Sequence, residues 1–281
     1  MQLDFAIQSK RLQSLGVVLS PEEMTVINAA IPAVRVEFDL IEATYFARIQ
    51  TLKRPYHILL GKNERGDELF YCSADMTAWS LLPALDQEEI QELQRLGFGI
   101  ASRVPLFGKL DKLLPKEDAA EEEEEKPDEE EEPKEEDGEE PKEKVAKVIK
   151  EKPRKFKLLE SHRLSQIIQN VHKQMQIVLL DAFCKQSGKQ VLNTQFRGLQ
   201  RPNLSNLALL KDYEKYLNGT IQQNEIKTLQ DEPNSNYYTG QFDVLNGCLV
   251  VMNFYYKGLI YYIYANALVW GSFYDGDGIA W

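Results

Sequence analysis

The stretch Val244–Trp270, VLNGCLVVMNFYYKGLIYYIYANALVW, admits two incompatible readings, and the architecture follows from the choice between them. It is the most apolar part of the chain and holds one charge, Lys257, so its hydropathy alone would allow a membrane helix. Gly247, Asn253, Gly258 and Asn266 interrupt it, however, and Val, Ile and Tyr dominate what remains. β-Branched and aromatic side chains suit a pleated, buried surface. The pattern therefore predicts strands at Cys248–Tyr255, Leu259–Tyr264 and Leu268–Tyr274, with a turn at Tyr256–Gly258.

Upstream, the same order of helix before strand recurs twice. Residues 3–15 predict a short amphipathic helix ending at Gly16. Ser20-Pro21-Glu22-Glu23 is a capping box with proline at the first helical position, and that helix is expected to stop before Pro32. Val34–Leu52, Tyr56–Leu60 and Glu68–Cys72 then predict an antiparallel meander. Its tight loop is Gly61–Asp67, where either glycine can take positive φ. A helix is expected near Asp86–Leu96. In the second half Leu164, Ile167, Ile168, Val171, Met175, Val178 and Leu179 fall at helical spacing, and a further helix is expected over Leu204–Leu217. Helices before strands in both halves point to α+β, with antiparallel sheet portions and packed helices, rather than βαβ units.

A charged run separates the halves. Eighteen acidic residues and three lysines lie between Glu117 and Glu143, and seven basic residues against Glu151 lie between Lys144 and Lys157. The acidity behind the net charge of −11 is thus local, and the rest of the chain is nearly neutral. With three prolines and few apolar residues, Glu117–Glu143 cannot bury enough surface to offset its ordering entropy. The expected organisation is one domain in two parts, residues 1–115 and 158–281, interrupted by a disordered acidic-then-basic insertion over 116–157. The basic part would favour nucleic acid by charge, but its acidic neighbour repels phosphate. A loose, salt-screened clasp between the two is the expected outcome.

Residues that could carry chemistry are sparse. His162 and His172 are almost three helical turns apart, too far to share a metal, and His57 belongs to a strand. Asp275–Gly278 (DGDG) lacks the further oxygen ligands of a calcium loop and reads as a glycine turn. Cys72, Cys184 and Cys248 are widely spaced and odd in number, which disfavours a disulfide framework. Asp4, Lys10 and Arg11 break the apolar character that a secretory leader needs. No glycine-rich phosphate loop or nucleophile elbow is present. The expectation is an intracellular, soluble, non-enzymatic protein with no catalytic, cofactor-binding or metal site, no cofactor, and no nucleic-acid or membrane partner. In Glu68–Pro83, ELFYCSADMTAWSLLP, a strand runs through a polar turn into Trp79, Leu81 and Leu82, which are expected to plug the core.

That stretch also resembles the radial spoke head protein 9 family of the ciliary axoneme, and other segments agree in the same order. FDLIEATYFARIQTL (Phe38–Leu52) resembles the family strand with an aromatic-small-Arg-Ile core, here Phe46-Ala47-Arg48-Ile49. RLSQIIQNVHKQMQIVLLDAFCKQSGKQVLNTQFRGL (Arg163–Leu199) is similar to its central helix and the motif matched at Asn193, Phe196, Gly198 and Leu199. CLVVMNFYYKGLIYY (Cys248–Tyr262) and WGSFYDGDG (Trp270–Gly278) resemble its closing strands, so the similarity covers roughly half the chain. The resemblance implies a structural subunit of the spoke head that supports spoke assembly and the spoke–central pair signalling that regulates motility. It implies assembly with larger spoke head scaffold subunits and a MORN-repeat spoke protein, transient contact with central pair projections, and location in the axonemal cytoskeleton of a cilium or flagellum. Two other readings compete. An acidic histone-chaperone-like binder would be nuclear and bind histones salt-sensitively. An unrecognised enzyme or small-molecule binder would show a buried polar constellation in a deep pocket.

Overall fold

A computed structural model describes residues 19–99, 101–114, 157–174, 177–179, 183–186, 189–196, 210–212, 228–230, 235–243, 247–264 and 270–280. The expected helix over 3–15 and the charged insertion lie outside them. Helix α1 (Pro21–Glu37) starts as its sequence dictates: the Glu23 amide donates to the Ser20 hydroxyl and the Ser20 amide to the Glu23 carboxylate. It does not stop at Pro32. Pro32 and Asn28, whose carbonyl loses its usual amide donor, are both exposed residues, so the lost hydrogen bond does not leave a buried polar group. Ile27 and Val34, buried on the opposite face, hold the turns on either side. Val34–Glu37 is therefore helix and not the start of a strand.

Strands β1 (Glu42–Ile49), β2 (Tyr56–Lys62), β3 (Glu68–Ser73) and the short β4 (Ser80–Leu81) form the expected antiparallel meander. In the β2–β3 loop only Gly66 takes positive φ, at 86°; Gly61 is a strand residue packed under Leu40 and Tyr71. Helix α2 (Gln87–Arg95) follows, and helix α3 (Glu160–Gln174) begins just after the insertion. The expected continuation of α3 to Leu179 fails, because Ile177–Leu179 is strand β5. It pairs with β8 (Leu210–Asp212), so the helix expected over Leu204–Leu217 does not run through that segment. β-Branched Ile177 and Val178 lose least in an extended conformation. Strands β6 (Phe183–Gln186) and β7 (Lys189–Leu192) form a separate hairpin. Strands β9 (Tyr238–Asp243), β10 (Cys248–Asn253), β11 (Leu259–Tyr264) and β12 (Trp270–Gly276) make a second antiparallel meander.

The two meanders join into one eight-stranded sheet, ordered β4-β3-β2-β1-β12-β11-β10-β9. The expected antiparallel portions are present, but the sheet as a whole is mixed: β1 and β12 run parallel, with Ala47 opposite Tyr274 and Ile49 opposite Gly276. Short turns fix antiparallel pairing within each meander, but nothing local fixes the sense in which their first and last strands meet. The fold is therefore α+β with a mixed sheet.

Helices cover both faces. Ala43, Tyr45, Leu59, Tyr71, Val250, Tyr262 and Phe273 pack towards Ile27 and Val34 of α1. Ala47, Ile49, Ile58, Cys72 and Tyr274 pack towards Leu164, Ile168 and Val171 of α3. Strand β1 turns its odd-numbered residues to the α1 face up to Tyr45 but to the α3 face from Ala47 on, because its register shifts between the two. One extra residue there reverses the side-chain parity. Burial on both faces explains why β10 and β11 read as nearly continuous apolar runs. The ends of the insertion are tied together: the Leu114 amide donates to the Leu158 carbonyl at 3.0 Å, and Leu113 and Leu159 form an antiparallel bridge.

Candidate functional site

The bulge in β1 leaves Arg48 on the α1 face, where its guanidinium forks onto Asp275 of β12, with Nε–Oδ1 at 3.0 Å and Nη2–Oδ2 at 2.7 Å. Glu23 of α1 lies 3.4 Å from Nη1, and the Gln50 amide also donates to Asp275. These groups are mutually satisfied, and the Asp275 hydrogen bond holds the Arg48 pKa above its ordinary value. The first aspartate of the DGDG segment is thus an anchor of the parallel seam. The second, Asp277, accepts from the Ile279 amide and closes a turn.

The histidines are dispersed. His57 is buried under α1 with Nδ1 2.8 Å from the Tyr45 hydroxyl, and burial lowers its pKa, so the ring is neutral. The Leu159 amide donates to His162 Nδ1. His172 packs edge-on against Phe46 and Phe70 and reaches Glu68 at 3.4 Å. Among the described residues no group of His, Cys, Asp and Glu side chains gathers to hold a metal. Cys72 and Cys248 are buried, and burial raises the Cys72 pKa, which suppresses the nucleophilic thiolate. The Cys184 side chain lies outside the described residues. Trp79 and Leu82 are core as expected, but Leu81 is 52 % exposed. It belongs to an edge strand of two residues, so the alternation that buries Leu82 turns Leu81 out.

A second buried carboxylate, Glu160, opens α3. It accepts from the Tyr56 hydroxyl at 2.6 Å and from the amides of Phe107, Gly108 and Lys109. Arg163, one turn on, is buried against the Val104 and Pro105 carbonyls. The two side chains pin the segment before the insertion to the helix after it.

Among the described residues there is also a cleft of about 290 Å³ at the C-terminal end of α3. Asn170, Lys173 and Gln174 form its helical wall. Tyr237 and Tyr238 enter from the start of β9, and Tyr255 and Tyr256 from the β10–β11 turn. Asn253 builds that turn by accepting from the Tyr255 and Tyr256 amides through Oδ1. Gln174 Oε1 accepts from the Tyr238 hydroxyl at 2.9 Å and, more distantly, from Asn253 Nδ2. The rings of Tyr237 and Tyr255 are 5.4 Å apart, and those of Tyr255 and Tyr256 meet edge-on at 5.1 Å. Burial pushes the Tyr256 phenol up to about 12, so it remains a neutral donor. Sequence reasoning placed the three helix residues on a polar face but did not assemble this cleft. Its one signal was the density of tyrosine at both ends of β10.

Among the described residues no helix is long and apolar enough to cross a membrane. No family model matches the chain, and no curated protein matches it.

Proposed function

We propose that the chain is a non-catalytic structural subunit of the ciliary radial spoke head. In this role it is held in the axoneme by larger spoke head scaffold subunits and a MORN-repeat spoke protein, and it touches central pair projections transiently. The observation that supports this reading best is the position of the segments that carry the family resemblance. FDLIEATYFARIQTL supplies β1, ELFYCSADMTAWSLLP supplies β3 and β4, CLVVMNFYYKGLIYY supplies β10 and part of β11, and WGSFYDGDG supplies β12. Two of them, separated by the insertion, meet where Arg48 of Phe46-Ala47-Arg48-Ile49 forks onto Asp275. A resemblance that falls on the frame of one sheet is what a shared scaffold would leave.

The test is the location of a tagged copy in a ciliated cell. The expected result is an axonemal signal that survives detergent extraction and copurifies with spoke head proteins. A diffuse signal, or a nuclear one with salt-sensitive histone binding, overturns the reading.

A further inference from the structure

The two edges of the eight-stranded sheet are finished differently. Strand β4 at one edge is two residues long and is soon followed by Pro83, which has no amide hydrogen to offer a further strand. Strand β9 at the other edge has no such protection. It runs six residues, Tyr238–Asp243, in unbroken register with β10, and from Tyr238 to Phe242 it holds no charge and no proline. Among the described residues no strand pairs with its outer side. Thr239 and Gln241 are exposed, and Gly240 between them is partly exposed. Glycine has no side chain, so what solvent reaches there is the main chain itself; Gly61 and Gly271, inside the sheet, are buried. An open, uncharged edge of this length is a template for one more strand.

We propose that this edge pairs with β9 of a second copy of the chain, antiparallel and about a two-fold axis through Gly240. Main-chain hydrogen bonds alone do not choose between partner strands, but the order of side chains does. A two-fold axis perpendicular to the sheet reverses the strand and keeps its faces, so the segment must match its own reverse. Tyr238-Thr239-Gly240-Gln241-Phe242 does: aromatic, polar, glycine, polar, aromatic. Tyr238 of each copy then lies opposite Phe242 of the other, and Thr239 opposite Gln241. Tyr238, Gly240 and Phe242 share one face of the strand, so an aromatic pair stands on either side of the paired glycines. Such cross-strand aromatic pairs stabilise a sheet and make good the contact that edge glycines lack. Thr239 and Gln241 share the other face and, being uncharged, oppose each other without repulsion. Tyr237, 38 % exposed, and Phe254, 50 % exposed, stand at the start of β9, where the Phe254 amide donates to the Tyr237 carbonyl. The same axis sets them beside the end of the second copy's strand, so both ends of the seam gain apolar contact. The seam is still short of a standard interface of about 800 Å² per partner, which points to a reversible dimer with a dissociation constant in about the micromolar range. This inference stands apart from the spoke head reading, since a chain found outside axonemes could pair in the same way.

The experiment is sedimentation velocity of the full chain at about 0.15 M salt, where repulsion between the acidic runs of two copies is screened beyond ~8 Å. Protein is compared over about 1–100 µM, which brackets the expected affinity. The expected result is a reversible equilibrium between monomer and dimer. Thr239→Lys together with Gln241→Lys places lysine opposite lysine at two sites and should weaken the dimer at least roughly tenfold. Thr239→Lys together with Gln241→Glu places lysine opposite glutamate at both sites and should leave the dimer as strong as the parent or stronger. Both doublets charge the same two exposed side chains, so a folding defect cannot account for opposite results. A chain still monomeric at about 100 µM overturns the proposal and leaves the edge to a strand of a different protein. A dimer indifferent to the lysine doublet places the contact elsewhere, and a lysine–glutamate doublet as weak as the lysine one refutes the two-fold register; either result overturns the proposal too.

Discussion

At the scale of single residues, five side chains carry distinct and measurable burdens. Arg48 and Asp275 are each less than a fifth exposed, and their bidentate geometry fixes the parallel seam. Arg48→Leu leaves a half-buried carboxylate facing apolar carbon and should lower stability by about 2–4 kcal/mol. The urea midpoint should fall with little change in slope, and adding Asp275→Asn should cost much less than it does alone. Trp79, 9 % exposed, and Leu81, 52 % exposed, stand two residues apart and give opposite expectations. Trp79→Ala should cost roughly 3–5 kcal/mol and Leu81→Ala less than about 0.5 kcal/mol in the same denaturation assay. His57 supplies a pH dependence. Burial lowers its pKa below the ordinary 6.5, so under mildly acid conditions the unfolded chain takes up a proton that the folded chain refuses. Stability from this group is complete above pH 6.5 and falls as the pH drops from there towards the folded value. His57→Gln, which retains a partner for the Tyr45 hydroxyl and does not titrate, should flatten the loss measured between about pH 7.5 and 5.5.

Elements show which parts of the fold the sequence could reveal. The meander β1–β3, the capping box of α1, helix α2 and the closing strands rest on neighbours in sequence, and all were legible from periodicity and turn residues. What was not legible depends on distant partners. The parallel meeting of β1 and β12 leaves no local mark, and neither does the bulge that redirects Arg48. Proline at position 32 would end an isolated helix, but tertiary packing of Ile27 and Val34 outweighs the lost hydrogen bond. The cleft was invisible for the same reason: Gln174 and Tyr238 are 64 residues apart. One turn is decisive at this scale. Gly258 joins β10 to β11 at φ 92°, and a Cβ there would land on the backbone carbonyl of Asp275, which cannot retreat without opening the sheet. Gly258→Ala should cost more than about 3 kcal/mol and send most expressed protein to the insoluble fraction, whereas Gly66→Ala, with open space around it, should cost much less.

For the whole molecule, the sheet order places four strands from each side of the insertion around a single seam. Neither meander has a covered edge at that seam without the other, and helix α3 from the second half packs on strands of the first. Residues 1–115 and 158–281 expressed separately should each be poorly soluble, and co-expression should recover a complex with one cooperative melting transition. Two halves that melt cooperatively alone would contradict this arrangement.

The pairing of Leu114 with Leu158 has a practical corollary. Because the fold itself brings these two positions together, whatever lies between them is a tether whose ends are already fixed. Lengthening such a tether is inexpensive, about 0.6 kcal/mol for each doubling. The position is therefore a permissive port: a fluorescent protein spliced there, or a pair of new termini from circular permutation, should leave the melting temperature within a few degrees of the parent. Evolution could exploit the same tolerance, so the length and charge of this stretch can drift between related chains while the scaffold stays fixed.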